Sequence, residues 1–229
     1  MVHVVWGIII ASGKEEQLMA TGVDVAFLNL AGRPLLSHAL EEFERCPDID
    51  GIVVVAPKDR VGEVLTMAKL MGYMKLRKIA AGTVARISSL RMGLNTLDEE
   101  VSMVVVHEVS RPCVKRGLIS ECIKAAKRYG SGVAASRILD PVKIVPKGNT
   151  VTATLEPNTA WTAQTPQAYK LDVLEKALAA AAKKKVALQD ESAALELIKH
   201  EVHLVPCPPS NIRIANPEDL TLAEALKRL

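Results

Sequence analysis

Three short stretches of this chain carry almost no polar side chain: Val4–Ile10, Gly51–Ala56 and 101–107. A strand buried on one face alternates apolar and polar residues, whereas a strand covered on both faces reads as a continuous apolar run. Strands of the second kind belong to parallel sheets with helices on each side. Between these runs, apolar residues at helical spacing predict helices over 35–44, 61–71, 86–97 and 118–129, the last stopped by Gly130. Shorter runs predict strands over 75–80, 132–136 and 202–206, and further helices are expected over 171–184, 191–199 and 217–229. Pro217-Glu218-Asp219 opens that final helix well, with proline in the first turn and acids against the helix dipole. The alternation predicts an α/β fold, a three-layer α/β/α arrangement around a mostly parallel Rossmann-like sheet with right-handed crossovers. Ligands of such sheets sit beyond the carboxyl ends of the strands, so the loops after Ile10, Ala80 and His107 are where a site is expected.

The segment 140–161 breaks the rhythm. It reads as two strands, 142–145 and 150–155, joined by Pro146-Lys147-Gly148-Asn149, a hairpin with turn residues at its tip. A hairpin projecting from an α/β domain serves either as an interaction arm or as a plain surface excursion, and the pattern alone leaves both open.

At 229 residues, 49% of them hydrophobic, the chain is long enough for one well-buried domain, expected to span 1–229 with the 140–161 arm inserted in it. Aromatic residues make up only 3%, so the core must be built from Val, Ile, Leu, Ala and Met. A net charge of +3 with scattered basic residues gives no footprint for nucleic acid. No apolar run reaches the roughly 20 residues that a membrane span needs. The apolar N-terminus lacks a basic flank and reads as a buried strand rather than a signal peptide. Cys46, Cys113, Cys122 and Cys207 form no CxxC pair, which suits reduced thiols and a cytoplasmic protein.

Several motifs stand in order along the chain: Ala11-Ser12-Gly13; Leu30-Ala31-Gly32-Arg33-Pro34-Leu35-Leu36; His107-Glu108-Val109-Ser110-Arg111-Pro112; Trp161-Thr162-Ala163-Gln164-Thr165-Pro166-Gln167; and Asn211-Ile212-Arg213-Ile214 followed by Pro217-Glu218-Asp219-Leu220. In this order and over nearly the whole chain they resemble the AAG, LxGxPLL, HDAARP, WxAQTPQ and NIKxTxPEDL segments of the 2-C-methyl-D-erythritol 4-phosphate (MEP) cytidylyltransferases. The resemblance implies a nucleotidyltransferase sheet and transfer of CMP from CTP to MEP with release of pyrophosphate, a step of non-mevalonate isoprenoid synthesis. It further implies Mg2+, a small phosphorylated acceptor and a homodimer formed through the arm.

Carried over residue by residue, the resemblance places nucleotide-binding groups at Ala11, Ser12, Gly13, Gly82, Arg86 and Ser89. It places acceptor-binding groups at Arg111, Thr165 and Asp140, a metal ligand at Glu108, and catalytic cations at Arg213 and Lys14. Lys14 reads more readily as a solvated loop lysine, and Glu108 equally as a strand-end carboxylate paired with Arg111. His107 is expected to play a structural hydrogen-bonding part. The chain departs from the family elsewhere. The first loop, AAGxGxRM and then PKxxL in the family, here places Glu15 at the second glycine, Gln17 at the arginine and Asp24-Val25 at the proline–lysine pair. Asp140-Pro141, Glu156-Pro157 and Gln189-Asp190-Glu191 replace Asp-Thr, Asp-Arg and Thr-Asp-Asp on the acceptor side. A carboxylate about 4 Å from a phosphate oxygen costs roughly 4 kcal/mol at an effective dielectric near 20. Three alternatives therefore stand: a CTP-dependent enzyme, a nucleotidyltransferase with another acceptor or nucleotide, and a catalytically silent binding or regulatory relative.

Overall fold

The computed structural model describes residues 3–13, 18, 23–156 and 159–228. Lys14, Glu15, Gln17 and Pro157 lie outside the described residues. The chain begins with β1 (Val4–Ile10), then a small ribbon of β2 (Asn29–Leu30) and β3 (Arg33–Pro34), then α1 (Leu35–Glu44) and β4 (Gly51–Ala56). Next come α2 (Val61–Met71), β5 (Leu76–Ala81), α3 (Arg86–Leu94), β6 (Val101–Glu108), α4 (Arg116–Tyr129) and β7 (Ser131–Arg137). The arm holds β8 (Lys143–Ile144) and β9 (Ala153–Thr154), and β10 (Trp161–Lys170), α5 (Leu171–Lys184), α6 (Ser192–Glu196), β11 (Leu204–Pro206) and α7 (Pro217–Lys227) complete the chain.

Seven strands form one sheet in the order β11-β7-β10-β6-β1-β4-β5. The strands read as buried runs form its centre, β1 lying parallel to both β4 and β6. Side chains alternate between two cores, as the two-residue period of a strand requires. Val5, Ile9, Val54 and Val105 face a core shared with α1, α2, α4 and α7, whereas Ile8, Ile10, Val55 and Val106 face one shared with α3, α5 and α6. Gly7 lets α1 approach: a Cβ there would stand 2.4 Å from Phe43 Cδ1. At the end of α4, Gly130 takes φ +88°, the left-handed conformation of a helix C-terminus. At the start of α7, Asp219 accepts the N–H groups of Ala215 and Asn216 at 2.9 and 2.8 Å.

The structure departs from the sequence expectations in three places. The segment 161–170 was not expected as a strand, yet β10 runs antiparallel to both β6 and β7 in the heart of the sheet. Its stretch 162–167 is largely polar and holds Pro166, so no buried-strand pattern marks it; pairing on both edges imposes the strand. The arm is less regular than expected. Among the described residues only Lys143↔Thr154 and Ile144↔Ala153 pair as strands there, because a two-stranded ribbon without a covering layer has little to hold it regular. The helix expected over 191–199 shortens to Ser192–Glu196, with Glu191 drawn into the core by a charge partner.

Candidate active site

Beyond the C-terminal ends of β1, β4 and β5 opens a cleft of about 300 Å³, lined by Ser12, Gly13, Asp24, Lys58, Gly82 and Thr83 among others. Its floor is a knot of hydrogen bonds. Ser12 Oγ donates to Ser89 Oγ at 3.0 Å, and Ser89 in turn donates to the Thr83 carbonyl at 3.0 Å while accepting the Thr83 N–H at 2.9 Å. The main chain is committed too: Ala11 N–H donates to the Val55 carbonyl and Gly82 N–H to that of Ala56, each at 2.8 Å. Gly82 must lack a side chain, since a Cβ would fall 1.9 Å from Ser12 Oγ. Ser12 and Ser89 thus shape the cleft from below, and its open walls are Gly13, Lys58, Asp24 and Thr83.

A second cavity, of about 520 Å³, adjoins the first along the chain. Gly82, Thr83 and Val84 line the cleft, and the next two residues, Ala85 and Arg86, line the cavity together with Glu108, Gln189 and Arg213. The end of α5 and residues 186–188 give it an apolar wall. Arg86 is the centre of a buried charge chain. Its Nε and Nη2 donate to the two carboxylate oxygens of Glu191 at 3.2 and 2.9 Å, and its Nη1 donates to Glu108 Oε1 at 2.7 Å. Arg111 continues the chain, its Nε donating to Glu108 Oε2 at 3.1 Å and its Nη1 to the Asn211 carbonyl at 3.0 Å. Burial pushes the Glu108 carboxyl up, but Arg86, Arg111 and Arg213 together outweigh it and hold the group below its ordinary range.

Beneath this chain lies His107, fully buried. Burial pulls its pKa down to about 3, so the ring is neutral. The tautomer that satisfies its surroundings carries the proton on Nε2, which donates to the Arg111 carbonyl at 3.2 Å. Nδ1 then accepts the Thr165 hydroxyl at 3.1 Å, and the Thr165 oxygen accepts the Glu108 N–H at 3.0 Å. Asn211 Nδ2 donates to the Thr165 carbonyl at 2.9 Å and so pins β10 against the same corner.

Comparison with known proteins bears on what this corner is. The family model described as 2-C-methyl-D-erythritol 4-phosphate cytidylyltransferase matches residues 5–228. A relative of that name from Pelotomaculum thermopropionicum is 34% identical over 219 residues, covering 95% of this chain and 92% of the relative. Another of that name, from Desulforamulus reducens, is 36% identical and covers 92% of this chain and 91% of its own length. The crystal structure of 4-diphosphocytidyl-2C-methyl-D-erythritol synthase from Anaerococcus prevotii superimposes with a TM-score of 0.86 at 25% identity, covering 99% of each chain. The chain belongs to the MEP cytidylyltransferase family.

Against that family, the residues singled out from sequence fall into groups. Ser12, Gly13 and Gly82 line the cleft, with Ser89 and the Ala11 main chain underneath. Arg86, Glu108 and Arg213 line the second cavity, and Arg111 joins them through Glu108. Thr165 is 1% exposed and its hydroxyl is engaged by His107 and Glu108, so it supports the corner from within. Asp140 lies exposed at the foot of the arm, and among the described residues no hydrogen bond or ion pair joins it to Arg111 or Thr165. Lys14 lies outside the described residues. Val25, where the family carries lysine, is fully buried in the core beside α1. Lys58 is a cleft residue that sequence reasoning missed. It follows the C-terminal end of β4, the same kind of position that marked the loops after β1, β5 and β6.

The residues do not fit a divalent metal held by the protein at Glu108. Each of its oxygens already accepts from a guanidinium, and among the described residues no three acidic, histidine or cysteine side chains gather at ligand spacing. Mg2+ demands near-ideal oxygen geometry.

Proposed function

We propose that this member of the family transfers CMP from CTP to MEP and releases pyrophosphate. The observation that carries the reading is the adjacency of the two cavities: residues 82–84 line one and residues 85–86 line the other. A bound nucleotide and a bound phosphorylated acceptor would thus meet at the start of α3. An acceptor phosphate oxygen attacks the α-phosphorus, a P–O bond forms, and the bond to the bridging oxygen breaks. Pyrophosphate leaves with that electron pair. Catalysis of such a step is mostly positioning and stabilisation of negative charge. Arg213 and Arg111 stabilise charge on the acceptor side, Gly13 and Lys58 border the nucleotide, and the Ser12–Ser89 bond keeps the cleft open. Any Mg2+ enters with the triphosphate.

One observation favours a second reading, a silent relative that keeps the scaffold. Val25 turns a cation position of the family into core, and Gln17 removes another by sequence. The purified chain, incubated with CTP, MEP and Mg2+, decides between them. Pyrophosphate released only when all three are present supports transfer. Release with another triphosphate or acceptor points to an altered substrate, and no heat of binding for any triphosphate leaves the silent reading standing.

The 140–161 arm is proposed as the contact of a homodimer. Ile144 and Val151 are 41% and 50% exposed there, and Leu139, just before it, is 90% exposed, an apolar surface that a second copy would cover. Sedimentation that finds only monomer removes this. We place the protein in the cytoplasm, where its four free thiols stay reduced. No described helix is long and apolar enough to cross a membrane.

A further inference from the structure

The Glu108 carboxylate touches guanidinium groups that arrive from opposite sides of the site. Arg86 comes from α3, whose preceding loop forms the nucleotide cleft, and Arg111 comes from the turn after β6. One oxygen serves each, at 2.7 and 3.1 Å. The main chain of Glu108 is held as well, through its N–H to Thr165 Oγ1 at 3.0 Å. Both guanidiniums have a second anchor, Glu191 for Arg86 and the Asn211 carbonyl for Arg111. Glu108 therefore sits between two fixed cations, with its side chain 13% exposed.

We infer that Glu108 is a positioning residue, which sets Arg86 and Arg111 relative to each other, and that it is not a metal ligand. A divalent ion on either oxygen would stand within about 4 Å of a guanidinium, and a doubly charged ion is repelled twice as strongly as a unit charge at that distance. Two well-placed cations already satisfy the carboxylate. Glutamine at this position offers one carbonyl oxygen and one NH2 group; its oxygen keeps the shorter contact, to Arg86 at 2.7 Å, and its donors turn toward Arg111. Aspartate keeps the charge but is shorter by one carbon–carbon bond, roughly 1.5 Å, and reaches only one of them.

Two measurements on the full-length chain, neither needing turnover, test this. The first is titration of Mn2+ into the nucleotide-free protein, followed by the paramagnetic signal of the free ion. Wild type and Glu108→Gln are expected to be alike, with no stoichiometric site. A single site in wild type that Glu108→Gln removes overturns the inference. The second is exchange of the arginine Nε protons with water. In Glu108→Gln the Arg111 signal is expected to exchange at least about tenfold faster, the scale of one lost charge-assisted hydrogen bond. The Arg86 signal, held by Glu191, should persist and so reports that the variant is folded. Unchanged Arg111 exchange in a folded variant overturns the inference. Should Glu108→Gln fail to fold, Glu108→Asp is read by the same two signals. The kinetic consequence alone rests on the proposed transfer: the acceptor KM should rise about tenfold in Glu108→Gln while the nucleotide KM holds within about twofold. Absence of turnover would remove the transfer reaction and leave the other two readouts intact.

Discussion

Arg86 and Glu191 meet as a planar fork on a carboxylate, two hydrogen bonds of 3.2 and 2.9 Å between residues 105 positions apart. Glu191 is fully buried and the Arg86 side chain only 6% exposed. Breaking a buried pair leaves an uncompensated charge, which costs about 3–5 kcal/mol. Glu191→Gln or Arg86→Met is therefore expected to lower the urea midpoint strongly. Arg86→Lys should not rescue, because an ammonium cannot fork onto Glu191 and reach Glu108 as well.

Gly82→Ala tests the floor of the cleft proposed for the nucleotide. The added methyl would stand 1.9 Å from Ser12 Oγ and 2.6 Å from its Cβ, so Ser12 must leave Ser89. Overpacking of this kind costs roughly 1–3 kcal/mol. Both the melting temperature and the heat of nucleotide binding are expected to fall. Ser89→Ala should weaken nucleotide binding in the same direction without the clash.

Stability should decline in acid through His107. Its folded pKa of about 3 lies below the ordinary 6.5, so the unfolded chain takes up a proton in that window and the folded chain does not. The contribution is whole above pH 6.5 and is lost as pH falls toward 3, at no more than roughly 1.4 kcal/mol per pH unit. Glu108, also held low, adds loss of the same sign below its ordinary 4.5. Urea midpoints measured between pH 7 and pH 5 should fall in wild type and stay flatter in His107→Gln.

Thr165→Val removes the hydroxyl that serves His107 Nδ1 and the Glu108 N–H together. Leaving buried polar groups without partners costs about 1–3 kcal/mol. Thr165→Ser should restore most of it. If Thr165 instead contacts acceptor in solution, Thr165→Val will raise the acceptor KM with little change in melting temperature.

The first loop is tested from sequence alone. Glu15→Gly with Gln17→Arg removes a carboxylate and restores a cation, and calorimetry should show triphosphate affinity rising by up to about a thousandfold. Unchanged affinity would mean that the loop does not face the phosphates.

Strand positions were legible where burial is two-sided. Val4–Ile10 and Gly51–Ala56 match the expected runs because a strand covered on both faces has no position that tolerates a polar side chain. β10 was hidden for the converse reason: Thr165 and Gln167 are polar but buried, and Gln164 is partly buried, each satisfied by partners elsewhere in the chain. The family motifs pointed to Ser12, Ser89, Arg86 and Glu108, but not to what these side chains touch. Ser12 and Ser89 bond each other across 77 positions, and Lys58 enters the cleft from a loop that carries no motif.

Sequence by itself determined the layered α/β architecture and the family, since apolar periodicity and local motifs are properties of neighbouring residues. Only the tertiary structure decided what Arg86, Glu108 and Arg111 do. A buried charge takes its role from whichever opposite charge lies within hydrogen-bonding distance, and here those partners come from separate strands, turns and helices that only the closed sheet brings together.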